Sequence, residues 1–508
     1  MLPLFSLRAK TDFGIGDFGS VDGLFAWLEQ SGQRLWMMLP LLPTAWGDPS
    51  PYSTCCAFGL NPLFIDLNPL IHRYALALHE EEKRTLEEAR HSPTVRYDLV
   101  VPLKAAILSR AFGAFQENVD PAFETFCTEK RAWLDEYALF AALSEEQQRR
   151  PWWEWKDGLS ERNPEALHQA KIRLARAVKF QQWAQWVADV QWRQVRKAAA
   201  TRGVLVCGDE PFIIGQNSSD CWSHPALLRR DARLGVPPDD FAADGQDWGL
   251  PWFDFAAMEA EGYQWLKFRA EQAAGYYDLR RVDHAVGYFR QYLRDEKTPR
   301  GRFLPDAEPQ QASLGERNFK LLSSAAPPPP GQPSAIIAED LGVIPAFVRG
   351  VLDALQLPGY KVMRWARDDG RYHDPRQYPA LSLVTTGTHD SETLREWWVV
   401  SQPWEREAVC RTFPELNGFQ PPPSEFTPRL HEALLRAALN SNSGLCVLPW
   451  QDVFGESERV NLPGTVSDAN WTYRMKPEAE TLTSREDTAR AAAWLKRLTA
   501  EGRRSESP

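Results

Sequence analysis

The chain lacks the cysteine pattern of a stapled or zinc-bound protein. Its seven cysteines (Cys55, Cys56, Cys127, Cys207, Cys221, Cys410 and Cys446) are odd in number, scattered and without a Cys-x-x-Cys pair, so free thiols are expected. Histidine is scarce as well. The 9 His contain neither an HxH nor an HExxH arrangement, which removes the sequence signature of a metal-dependent barrel hydrolase; no metal and no cofactor are expected. There is no basic excess: 58 Lys and Arg against 68 Asp and Glu leave a net charge of -10, which argues against nucleic acid or an anionic membrane surface as a partner. No apolar run approaches the roughly 20 residues of a membrane span, and the N-terminus lacks the order of a secretory signal. The cytoplasm is the expected compartment.

What the chain does have is length and tryptophan. Its 508 residues, 43% hydrophobic and 25% charged, fit one large barrel with insertions or two to three ordinary domains. The 21 Trp, 25 Phe and 13 Tyr could stack on sugar rings, but aromatic residues also simply fill cores. A GxGxxG pattern occurs at Gly14-Ile15-Gly16-Asp17-Phe18-Gly19, yet a dinucleotide site needs it directly after a buried strand. Here Arg8 to Asp12 is polar, and the reading is a glycine-rich loop leading into a helix over Val21 to Gln30.

Short apolar runs suited to buried parallel strands occur at Leu35 to Leu39, Ala57 to Leu67, Val204 to Pro211, Leu279 to Val282, Ala335 to Ala338, Gly359 to Met363, Leu381 to Thr385 and Gly444 to Leu448. Alternating with helical periodicity, eight such strands predict an α/β fold of the (β/α)8 TIM barrel type with a helical insertion and long active-site loops. The barrel is expected over 1–72 and 200–496. A helical insert is expected over 73–199, with a long irregular binding loop within 214–260. Residues 297–333 read as a Pro-rich excursion, and 497–508 as a frayed tail.

Four of the strands end on acids: Gly208-Asp209-Glu210, Arg281-Val282-Asp283-His284, Ala338-Glu339-Asp340 and Thr388-His389-Asp390. In a parallel barrel, polar chemistry sits at the carboxyl ends. Asp283 and Glu339 form the natural pair for retaining glycosidic cleavage, which needs a carboxylate nucleophile and a carboxylic acid. Arg281, two residues before Asp283 and so on the same strand face, can hold that carboxylate. Asp390 is expected to crowd Glu339 and raise its pKa. Any one of these acids alone could be a structural ion pair at a barrel mouth; their joint occurrence carries the reading.

With these motifs, the sequence resembles the 4-α-glucanotransferases, the amylomaltase or disproportionating-enzyme family of the α-amylase superfamily. Supporting stretches run from Phe13 to Gly19, through Ser50-Pro51-Tyr52, Asn61-Pro62-Leu63, Ser219-Asp220 with Trp222, and Gly235 to Asp239 with Gln246 and Trp248-Gly249, to Asn461 and Pro463-Gly464-Thr465. The resemblance implies Asp283 as nucleophile, Glu339 as acid/base and Asp390 as transition-state stabiliser. It implies Tyr52, Asp209, Arg281, His284 and His389 around the sugar, Gln246 and Trp248 on a covering loop, and Phe241 and Asn461 toward the acceptor. The implied partners are maltooligosaccharides and glycogen or starch-type glucans; an α-glucan hydrolase and a non-catalytic glucan-binding protein are the alternatives. Oligomeric state has no sequence signal here.

Overall fold

The computed structural model describes residues 1–45, 48–117, 119–238, 245–295 and 301–502. Two arcs of parallel strands form the centre. One arc orders Leu35–Met37, Leu205–Glu210, Leu279–Val282 and Ile336–Ala338; the other orders Leu445–Cys446, Ser382–Thr385 and Gly359–Val362. The arcs meet where Ala338 N donates to Pro358 O at 2.9 Å. On the other side Leu2 N donates to Met37 O at 3.0 Å and Trp450 N to Met1 O at 2.9 Å, so the first residues bridge the gap between strands 35–37 and 445–446. The fold is an α/β barrel of the TIM type.

Seven barrel strands are present among the described residues, against the eight expected. The stretch Ala57 to Leu67 forms no strand; it contains the 3-10 turn Pro62–Phe64, capped by the Asn61 side chain. Leu60, Phe64, Ile65 and Leu67 are nevertheless buried. That run is apolar because it packs in irregular backbone, and Pro62 has no N–H to give a ladder.

Side chains alternate across each strand, which divides the core in two. Met37, Cys207, Leu279, Ile337, Tyr360, Val362, Leu383 and Val447 fill the barrel interior. Trp36, Val206, Val282, Ile336 and Ala338 face outward into the larger core shared with the helices. The helices Glu80–His91, Tyr97–Gln116, Pro121–Glu146, Pro164–Arg173 and Ala175–Thr201 lie between the first two barrel strands in sequence. They contribute Phe112, Trp133 and Trp183 to the same outer core. Most of the tryptophans are accordingly packing residues. The Phe13 to Gly19 loop is packing too: a Cβ at Gly16 would stand 2.0 Å from Leu4 O. All seven cysteines are free thiols. No helix among the described residues is long and apolar enough to cross a membrane.

Three expectations about irregular regions need correcting. The stretch 219–251 holds a helical turn Ser219–Ser223 and the antiparallel strands Leu228–Val236 and Gln246–Phe253. Residues 302–323 are ordered as a strand Arg302–Leu304 and a helix Glu308–Ser323, whose Phe319 and Leu322 are fully buried. The last helix, Glu486–Glu501, runs past the expected start of the tail, because Leu495 and Leu498 are buried and Arg497 pairs with Glu432.

Candidate active site

Strand register assembles the site. Along the strand that begins at Leu279, alternation sends Leu279, Arg281 and Asp283 toward the barrel interior; on the neighbouring strands the same faces carry Cys207 and Asp209, and Ile337 and Glu339. Asp209 is the direct partner of Arg281 in the ladder, and Val282 pairs with Ala338, so Asp283 and Glu339 are the next pair in register. Neighbouring strands lie about 4.8 Å apart, which suits the carboxyl spacing of about 5–5.5 Å in retaining chemistry.

Arg281 is the electrostatic centre. Its Nη1 lies 2.7 Å from both carboxylate oxygens of Asp209 and 2.8 Å from Asp283 Oδ1. The guanidinium sits over the Tyr360 ring at 5.6 Å. Tyr52 donates its hydroxyl to Asp209 Oδ2 at 2.6 Å, so Asp209 organises Arg281 and Tyr52 together. Charge-assisted bonds of this kind are the strong ones in a dry site.

Glu339 is held by two backbone amides, His284 N at 2.8 Å and Leu341 N at 3.1 Å. Burial pushes its carboxyl up to about 8; Arg281 and the two amides oppose the rise, and Asp283 adds to it. This corrects the expectation that Asp390 raises Glu339: the neighbouring negative charge is Asp283. Asp390 belongs to a different cluster. Burial raises its pKa, but the His389 ring at 3.2 Å and the Asn461 amide at 2.6 Å overcome that and hold it down to about 2. Burial works against protonation of His389, while Asp390 favours it strongly enough to raise its pKa above the usual value.

A group that must deliver a proton works while it is protonated. With Glu339 at about 8, kcat/KM on an unactivated glucan is expected to fall tenfold per unit above that pH. A profile that stays flat to pH 9.5 would remove Glu339 as the acid of the free enzyme.

The loop carrying His389 and Asp390 is fixed from behind. Arg364 Nε donates to Thr386 O at 3.0 Å and Nη1 to Glu392 O at 2.7 Å. Asp452 accepts from the Thr386 hydroxyl and from Leu394 N. Trp471 was absent from the sequence-based site. Its ring tilts against Tyr52 and His389, both at 5.8 Å, while Tyr52 and His389 stack at 5.2 Å. A left-handed φ of 63° at this bulky residue was the structural signal.

His284 also has a left-handed backbone, φ 45°, and burial pushes its pKa down to about 4, so its ring is neutral at pH 7. Trp248 packs edge-on to it at 4.8 Å, and Trp248 Nε1 donates to Gln246 Oε1 at 3.1 Å. Contacts join Tyr52, Asp209, Arg281, Asp283, His389, Asp390 and Asn461 in one cluster and Glu339, His284, Gln246 and Trp248 in a second, and the consecutive residues Asp283 and His284 bring the two side by side. Asn461 enters the first cluster through the Asp390 carboxylate, to which its side-chain amide donates at 2.6 Å. Phe241 lies outside the described residues.

Comparison with known proteins covers most of the chain. A family model described as 4-alpha-glucanotransferase matches residues 2–481. A 4-alpha-glucanotransferase of Thermus thermophilus is 33% identical over 485 residues, 92% of each chain. One from Chlamydia muridarum is 31% identical over 505 residues, 95% of this chain and 92% of the other. Among solved structures, an amylomaltase from Streptococcus agalactiae in complex with acarbose superposes with a TM-score of 0.84 at 25% identity, covering 99% of this chain and 98% of that one. An amylomaltase from Corynebacterium glutamicum shares the fold, with a TM-score of 0.77 at 21% identity over 97% of this chain and 74% of its own.

Proposed function

This chain belongs to the 4-alpha-glucanotransferase family and is an enzyme that transfers segments of α-1,4-glucans; we propose that it does so by double displacement through a glycosyl-enzyme on Asp283. Asp283 attacks the anomeric carbon as Glu339 gives its proton to the departing glycosidic oxygen. The shortened glucan leaves. Glu339, now a carboxylate, takes the proton of an acceptor 4-hydroxyl, and that oxygen displaces Asp283, restoring the α-linkage.

The observation that carries this reading is the adjacency of Asp283 and Glu339 in register, with different partners: Arg281 on Asp283, and backbone amides with burial at Glu339. Two carboxyls placed this close are pushed into opposite roles. Asp390, held ionised by His389 and Asn461, is suited to stabilise positive charge developing at the sugar ring. Tyr52, stacked on His389, offers an apolar face to a sugar.

Maltooligosaccharides and glycogen or starch-type glucans are the substrates this reading assigns, and the acarbose held by the S. agalactiae amylomaltase is in keeping with a sugar-binding cleft. Transfer prevails over hydrolysis when the site holds an acceptor and keeps water from the glycosyl-enzyme, a role we give to the hairpin carrying Gln246 and Trp248. Incubation with maltotriose is expected to yield glucose and a ladder of longer chains with almost no rise in total reducing ends. Rising reducing ends without longer chains would mean a hydrolase.

A further inference from the structure

The antiparallel pair Leu228–Val236 and Gln246–Phe253 is interrupted at the residue the site depends on. Leu234 pairs with Leu250, but the next residue, Gly235, pairs with Asp247. Trp248 and Gly249 are therefore extra residues in one strand, a bulge, and a bulge re-aims a side chain at the cost of ladder hydrogen bonds. Gly249 takes φ 64°, a left-handed conformation that a residue without a Cβ adopts free of strain. The re-aimed side chain is Trp248, which lands on His284.

The backbone groups left over by the bulge are met from outside the ladder. Gly249 N donates to Asp247 Oδ1 at 2.9 Å. Gly249 O accepts from the side-chain amide of Gln216. The other end of that amide, Gln216 Oε1, accepts from Arg230 Nε at 3.2 Å. Arg230 is itself clamped, with its guanidinium 3.6 Å from the Trp153 ring centre and 4.9 Å from that of Trp152. Trp152 closes the circuit by donating Nε1 to Gln216 O at 2.9 Å and its backbone N to Asn217 Oδ1 at 3.1 Å.

We propose that Gln216 is a positioning residue for glucan transfer: it latches the Trp248–Gly249 bulge to the Trp152–Trp153 segment and so fixes where Trp248 covers the glycosyl-enzyme. This rests on the role given above to Trp248. Gln216 touches no carboxylate of the site; it acts through the bulge. The amide is suited to this because it must donate to one group and accept from another at once. Glutamate in its place could accept from Arg230 but not donate to Gly249 O, and methionine could do neither at similar size.

The test is a double-mutant cycle of Gln216→Met with Trp248→Ala, read as acceptor KM and as the ratio of transfer to hydrolysis on maltotriose. Loss of the latch is expected to raise acceptor KM about tenfold and lower the transfer ratio severalfold, the scale of a lost hydrogen bond in a positioned site. Gln216→Glu is expected to behave like Gln216→Met. In the Trp248→Ala background, Gln216→Met is expected to change nothing further, because the residue it positions is gone. An equal loss in both backgrounds, or no effect of Gln216→Met on the wild-type enzyme, overturns the latch. Trp248→Ala with unchanged acceptor KM and transfer ratio would instead overturn the role given to Trp248, and with it the latch. The wild-type product ladder is read separately and tests the transfer reaction itself.

Discussion

Asp283→Asn is expected to lower turnover by on the order of 10⁴-fold or more while the protein remains folded, since removal of a covalent nucleophile forfeits the whole displacement path. That factor corresponds to about 5.5 kcal/mol of transition-state stabilisation. Folding should survive for a local reason. Asp283 is partly exposed, and Arg281 keeps its two 2.7 Å contacts with Asp209 when Asp283 is neutralised. No buried guanidinium is left unpaired, which is the usual source of a large stability loss at such a site. Measured as glucose released from maltotriose beside a thermal melt, loss of activity at unchanged melting temperature is the expected pair of results. Retained turnover would end the nucleophile assignment.

Glu339→Gln separates the two halves of the reaction. Removal of a general acid/base is expected to cost 10²- to 10⁴-fold on maltotriose, because the departing sugar oxygen then leaves without a proton. A maltosyl fluoride donor needs no such proton. With it, the first displacement should recover in Glu339→Gln while the second stays slow, since no carboxylate is left to deprotonate the acceptor hydroxyl. A burst of fluoride followed by a slow steady state is the expected trace. If Glu339→Gln is equally impaired on both donors, the residue is not the acid.

The parts of the site legible in the sequence are those where an apolar run stops on an acid. Leu279 to Val282 and Ile336 to Ala338 are buried throughout, so their composition announces strands, and the residues just beyond announce the mouth. The spacing of Arg281 and Asp283 at two residues sufficed to put them on one face. The pairing of Asp283 with Glu339 was legible in the two strand ends, but the place of Asp390 was not, because it depends on side-chain partners brought by other loops. Asp283 is the register neighbour, while Asp390 is drawn aside by His389 and Asn461.

The hairpin was hidden for a different reason. Leu228-Arg229-Arg230-Asp231-Ala232-Arg233-Leu234 carries charge at four of seven positions, half-exposed at Arg229 and Arg230 and exposed at Asp231 and Arg233, and its pairing shifts between Arg229 and Leu234, while its partner strand contains Pro251 and the Trp248–Gly249 bulge. Ala57 to Leu67 failed in the opposite sense. It has the apolar texture of a strand and is buried like one, but Asn61 and Pro62 turn it. Trp471 gives no sequence signal at all; its place against Tyr52 and His389 is a product of the tertiary fold alone.

The covalent step is the centre of the account and can be observed directly. Glu339→Gln incubated with maltosyl fluoride and stopped in acid should carry one glycosyl group, found by mass spectrometry of the digested protein on the peptide that contains Asp283. Label on a peptide from another part of the site, or none during a measured fluoride burst, would contradict the double-displacement mechanism proposed for this enzyme.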